Sequence, residues 1–81
     1  MPMVEVKVPK VAMSVDAVDV VNWHVQVGDR VQKGSPLVDL ETEKATLTVE
    51  SEVEGEVVEI LARPGDTLPM GASLCRIRVA E

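Results

Sequence analysis

The sequence predicts an all-β fold, a sandwich of two related halves, and three observations predict it. The 81 residues are 46% hydrophobic, yet aromatic residues are only 1%, Trp23 alone, while valine recurs throughout. β-Branched side chains are stiff at χ1 and suit a pleated surface better than a helix. Apolar and polar residues alternate with period two. Finally, Val27–Leu37 resembles Pro64–Leu74 at a constant spacing of 37, matching Gly28 with Gly65, Gly34 with Gly71 and Leu37 with Leu74. The same shift pairs Val20-Val21 with Val57-Val58, Trp23 with Ile60 and Leu40 with Ile77.

Taken in order, Val4, Val6 and Val8 alternate with Glu5 and Lys7 and read as a first half-buried strand. Asp16 to Trp23 is the best helical candidate, but its valines break it up. Trp23 and His24 are neighbours, so in a strand they point to opposite faces. Gly28-Asp29 and Lys33-Gly34-Ser35-Pro36 punctuate the first half. Leu47 and Val49 alternate with Thr46, Thr48 and Glu50. Gly55, Pro64-Gly65-Asp66 and Pro69-Met70-Gly71 punctuate the second half, and Ile77 and Val79 close it between Arg76 and Arg78. Gly28 and Gly55 read as backbone positions, the first in a turn and the second at a bulge or crossover requiring positive φ. Each half exposes an apolar face it cannot bury alone, so the two faces pack with approximate two-fold symmetry.

The formal net charge is −6. An acidic surface repels phosphate backbones, which argues against nucleic acid and leaves solubility or a basic partner surface as its use. Cys75 is the only cysteine, so no internal disulfide is available; its apolar setting, Leu74-Cys75-Arg76-Ile77, reads as a buried, inert thiol in a reducing cytoplasm. No basic stretch followed by an apolar run opens the chain and no apolar segment reaches membrane-spanning length, so neither a secretion signal nor membrane insertion is expected. His24 has no second histidine or cysteine at ligand spacing, so no metal site is expected. No nucleophile–base pair is evident, so neither is catalysis.

The segment between the two copies, Leu37-Val38-Asp39-Leu40-Glu41-Thr42-Glu43-Lys44-Ala45-Thr46-Leu47-Thr48-Val49-Glu50, reads as a hairpin. A two-residue turn at Glu43-Lys44 opposes Thr42 with Ala45, Glu41 with Thr46, Leu40 with Leu47, Asp39 with Thr48 and Val38 with Val49. One face then collects Val38, Leu40, Leu47 and Val49, and the other Asp39, Glu41, Thr46 and Thr48. Shifting the turn by one residue destroys these matched pairs. Glu43-Lys44 lacks the glycine that two-residue hairpins favour, so a type I turn is expected. On these grounds alone Lys44 reads as a solvated lysine at a loop tip.

Asp39-Leu40-Glu41-Thr42-Glu43-Lys44-Ala45 resembles the E-T-D-K-A lipoylation motif of the E2 components of 2-oxoacid dehydrogenase complexes, with Glu43 in place of the usual Asp. The resemblance covers the whole chain. Gly28 lies before the lysine and Gly55 after it at the family's spacings. Val8-Pro9-Lys10-Val11-Ala12-Met13-Ser14 is similar to the opening of pyruvate and acetoin E2 chains, and Trp23 through Val31 resembles W-x-x-x-x-G-D-x-V. The resemblance implies one lipoyl domain over 1–81, with half-repeats at about 4–42 and 45–79. It implies a flattened β-barrel or sandwich of two four-stranded antiparallel sheets, a barrel-sandwich hybrid. Lys44 would sit between the fourth and fifth strands and carry lipoate by an amide, working as a swinging arm without catalysis of its own.

The implied partners are a lipoate ligase or octanoyl/lipoyl transfer enzymes, a thiamine-diphosphate E1, the E2 catalytic core and a flavoprotein E3, with the domain itself monomeric. Glu41, Thr42, Glu43 and Ala45 are the implied recognition residues, joined by Val11, Ala12 and Met13 from a neighbouring loop. The alternatives are a biotin carrier, whose lysine usually stands between methionines rather than Glu43 and Ala45, the longer glycine-cleavage H protein, and an unmodified β-sandwich adaptor.

Overall fold

The structure is a computed structural model and describes residues 2–8, 17–43 and 45–79. Eight strands follow one another: β1 (Met3–Lys7), β2 (Ala17–Trp23), β3 (Arg30–Val31), β4 (Pro36–Glu41), β5 (Thr46–Glu50), β6 (Gly55–Ile60), β7 (Thr67–Pro69) and β8 (Ser73–Val79). They form two four-stranded sheets of order β1-β8-β6-β3 and β5-β4-β2-β7, with every pairing antiparallel. The helical candidate is strand over its described part, Ala17–Trp23: β2 places Val18 and Val20 inward and Ala17 and Asp19 outward.

Exchanging β1–β4 for β5–β8 turns one sheet order into the other, which is the two-fold relation the repeat predicts. The backbone hydrogen bonds obey it. The Gly28 N–H donates to the Val57 carbonyl at 2.7 Å and the Gly65 N–H to the Val20 carbonyl at 2.8 Å. The Asp29 carboxylate accepts from the Gln26 N–H as the Asp66 carboxylate does from the Arg63 N–H. Even the irregularities are duplicated: register shifts fall between Val20 and Asn22 in β2 and between Val57 and Glu59 in β6.

The core is built from the central strands, β4 with Leu37, Val38 and Leu40 and β8 with Leu74, Cys75 and Ile77, joined by Val18, Val20, Val31 and Val57. Consecutive residues of β4 and β8 are both buried because the pairing with the edge strands β5 and β1 shifts there, and a bulge turns an extra side chain inward. Burial without a compensating charge pushes the Cys75 thiol up to about 11. Trp23 is half-buried against the core, and its indole N–H donates to the Ala62 carbonyl at 2.9 Å.

Gly28 lies in a turn, as expected, and its φ is positive at 99°. Gly55 corrects its expectation, because it is not among the positive-φ glycines. Its requirement is space: a Cβ there would overlap the Arg78 carbonyl oxygen and come within 2.9 Å of Ile77 Cγ2. β6 can press against β8 at this point only because no side chain intervenes.

Candidate functional site

The β4–β5 hairpin has the register the apolar pattern requires. Val38 faces Val49, Asp39 faces Thr48, Leu40 faces Leu47 and Glu41 faces Thr46. Val38, Leu40 and Val49 are buried and Leu47 is partly buried against the core, so this face anchors the hairpin in the sandwich. The Thr42 N–H donates to the Ala45 carbonyl at 2.7 Å, which leaves two residues between the paired positions. Lys44 itself lies outside the described residues, as do Val11, Ala12 and Met13. Glu43 does not have positive φ, which excludes the I′ and II′ turns and agrees with the expected unprimed turn.

Thr42 contributes more than backbone. Its hydroxyl donates to the Ala45 carbonyl and accepts from the Ala45 N–H, each at 3.0 Å. Glu41, Glu43, Ala45 and Thr46 are exposed and Thr42 is half-buried, so no described neighbour covers the end of the hairpin.

Below the turn, on the outer face, a polar cluster escaped the sequence reading. Asp39 Oδ1 lies 2.9 Å from His24 Nε2 and accepts from the Thr48 hydroxyl at 2.7 Å. The Thr48 hydrogen bond first, and that of His24 second, hold the Asp39 carboxyl below the usual carboxylate range. The Asp39–Thr48 pair was legible in the predicted register. His24 was not, because only the β2–β4 pairing brings it there. The opposite outer face carries a lattice of ion pairs: Arg76 bridges Glu5 and Glu59 at 3.3 and 3.0 Å, and Arg78 meets Glu56 at 2.6 Å. The Ser73 hydroxyl and then Arg76 lower the Glu5 carboxyl. Among the described residues no cluster of three or more metal-ligating side chains occurs, and no helix is long and apolar enough to cross a membrane.

Comparisons with known proteins agree with this geometry. A family model described as biotin-requiring enzyme matches residues 4–77. The dihydrolipoyllysine-residue succinyltransferase component of the 2-oxoglutarate dehydrogenase complex of Staphylococcus saprophyticus is 44% identical over 72 residues, 89% of this chain and 17% of that protein. The dihydrolipoyllysine-residue acetyltransferase component of the acetoin cleaving system of Bacillus subtilis is 31% identical over 74 residues, 91% of this chain and 19% of that protein. The chain thus spans less than a fifth of the length of these curated relatives. The solution structure of the lipoyl domain of the 2-oxoglutarate dehydrogenase complex from Azotobacter vinelandii superposes with a TM-score of 0.76 at 31% identity, covering 91% of this chain and 94% of that one. With two matching sheets, a hairpin in the motif's register and this coverage, the chain belongs to the biotinyl and lipoyl carrier family, as a lipoyl domain of the kind found in E2 components.

Proposed function

We propose that Lys44 carries lipoate and that the domain is the swinging arm of a 2-oxoacid dehydrogenase complex, of the pyruvate or acetoin type, moving acyl groups and reducing equivalents between E1, the E2 catalytic domain and E3. The hairpin register carries this reading. Thr42 pairs with Ala45, and Glu43 and Lys44 are the two residues the chain spends between them. The exposed residues on both sides suit a long tethered group, since no described wall would hold it against the domain.

Lipoate, when attached, supplies a dithiolane that takes up an acyl group and two electrons. The chain's own contribution is placement. The Lys44 amine attacks the lipoate carboxyl that the ligase has activated, an amide N–C bond forms, the activating group leaves and the nitrogen releases a proton. The lysine loses its charge in the process, and the tether then keeps reaction partners at high effective concentration. Glu41, Thr42, Glu43 and Ala45, with Val11, Ala12 and Met13, are assigned to recognition by the modifying enzyme, a lipoate ligase or octanoyl transferase, and by E1. Residues 1–81 form one domain of half-repeats at about 4–42 and 45–79, and the single buried thiol suits a reducing cytoplasm.

Intact mass after expression with lipoate, beside a Lys44→Arg variant, tests the attachment. An increment matching lipoate that the variant loses supports the reading. A biotin increment, or none where a known lipoyl domain is modified, overturns it. The Val8–Ser14 opening favours pyruvate or acetoin, whereas the named relatives serve a 2-oxoglutarate dehydrogenase complex and an acetoin cleaving system. Reductive acylation by each class of E1 separates these.

A further inference from the structure

The turn at the end of the β4–β5 hairpin closes in an unusual way. A β-turn is ordinarily closed by the carbonyl of its first residue accepting from the N–H of its fourth. Here the Ala45 N–H donates to the Thr42 hydroxyl at 3.0 Å, and that hydroxyl also donates to the Ala45 carbonyl. One side chain therefore grips both polar groups of the residue that follows the lysine. The arrangement matches the helix N-cap, where a threonine oxygen takes the N–H three residues ahead and replaces a backbone partner.

The two-fold relation supplies an internal control. The counterpart of the Thr42–Ala45 pair is Val79–Pro2, and there too the backbone bond forms, from the Val79 N–H to the Pro2 carbonyl at 2.9 Å, beside 2.7 Å at the hairpin. Valine has no hydroxyl. The fold therefore makes this strand-end pairing without a side-chain clasp, and the clasp is peculiar to the half that bears the lysine. The turn also needs support that its sequence does not supply: it has no glycine, and Glu43 lacks the positive φ that matches a hairpin's twist.

We infer that Thr42 is a positioning residue whose hydroxyl clasps Ala45 and so fixes the turn on which the modifying enzyme must find Lys44. The inference rests on the carrier reading. A ligase binds only the fraction of turns in the competent shape, so loosening the clasp raises the apparent KM while leaving kcat, which depends on the bound complex, close to its original value. Removing one hydrogen bond of ordinary strength corresponds to an effect of about fivefold.

The test compares Thr42→Val, which keeps the shape, and Thr42→Ser, which keeps the hydroxyl, with the parent domain. Two quantities are read: the kinetics of ATP-dependent lipoylation by a lipoate ligase, and the hydrogen-exchange rate of the Ala45 amide. The expected result is about a fivefold rise in KM with little change in kcat for Thr42→Val, faster exchange at Ala45, and recovery of both in Thr42→Ser. Global stability should fall by no more than this one hydrogen bond, about fivefold in the unfolding constant, since the backbone bond remains. Unchanged Ala45 exchange in Thr42→Val overturns the clasp. Faster exchange with parental lipoylation kinetics overturns its role in presentation. If the parent domain takes no lipoate where a known lipoyl domain does, the carrier reading falls and the ligation half of the inference falls with it, while Ala45 exchange still judges the clasp separately.

Discussion

Asp19 and Glu41 stand directly opposite each other across β2 and β4, two carboxylates in one register pair. Their counterparts under the two-fold relation, Glu56 and Arg78, occupy the same place between β6 and β8 and form an ion pair at 2.6 Å. One position of the fold is thus attractive in one sheet and repulsive in the other. Opposed like charges destabilise an antiparallel pair, so strand pairing alone favours a basic residue at 41. Glu41→Arg should restore the pairing. On an exposed face screened by solvent the gain is at most about 0.5 kcal/mol, and it should shrink in high salt. Urea unfolding at low and high salt checks the stability. The same variant should be a poorer substrate for E1-catalysed reductive acylation, which tests the recognition role proposed for Glu41. A variant neither more stable at low salt nor slower in acylation would leave the like-charge pair without a role.

The contrast also shows where sequence reading stops. The hairpin register was legible because Val38, Leu40, Leu47 and Val49 match only in one alignment, and the repeat was legible because its glycines recur at one spacing. Period two reports which face a residue takes and not which strand lies beside it, so Asp19 opposite Glu41 and His24 beside Asp39 appeared only with the β2–β4 pairing. β3 and β7, of two and three residues, are too short to carry an alternation. Gly55 announced a backbone constraint, but a single residue type cannot say whether the constraint is torsion or proximity.

That distinction makes a mutational prediction. Gly28→Ala meets no atom within 4 Å and suffers only from its φ of 99°, a cost of about 1–2 kcal/mol. Gly55→Ala has an ordinary φ but drives a methyl into the Arg78 carbonyl, so β6 and β8 must part. Overpacking against backbone should cost about 2–3 kcal/mol or more. Chemical denaturation of the two variants should therefore rank Gly55→Ala as the worse, and its damage should appear as faster amide exchange along β6 and β8. The reverse order would mean that torsion, not proximity, governs both sites.

Acid should weaken the domain through its two outer faces. Asp39 and Glu5 both have lowered folded-state values, the first through Thr48 and His24, the second through Ser73 and Arg76. A depressed carboxyl binds fewer protons folded than unfolded, so its contribution is complete above the ordinary carboxylate range, about pH 4. It is lost as pH falls through the lowered folded value. Urea midpoints followed from neutral pH downward should stay level and then fall below about pH 4. Asp39→Asn should start lower at neutral pH and lose less on acidification, so the two curves converge in acid. Parallel curves would show that Asp39 makes no pH-dependent contribution.

The pairing of β1 with β8 offers the last test. β1 and β8 pair from Met3 opposite Arg78 as β5 and β4 pair from Thr46 opposite Glu41. The bond from the Val79 N–H to the Pro2 carbonyl repeats the one from the Thr42 N–H to the Ala45 carbonyl. The β8–β1 pair is therefore a hairpin in all but its covalent turn. Joining residue 81 to residue 1 through one added glycine should supply that turn without disturbing either sheet. Closure removes conformations from the unfolded chain and leaves the folded one as it is, so stability should rise by about 2–4 kcal/mol. The hairpin at residues 42–45 belongs to the other sheet, so lipoylation kinetics should match the linear domain. A cyclic domain less stable than the linear one would mean that the Val79–Pro2 pairing is not held in solution and that the second half closes differently from the first.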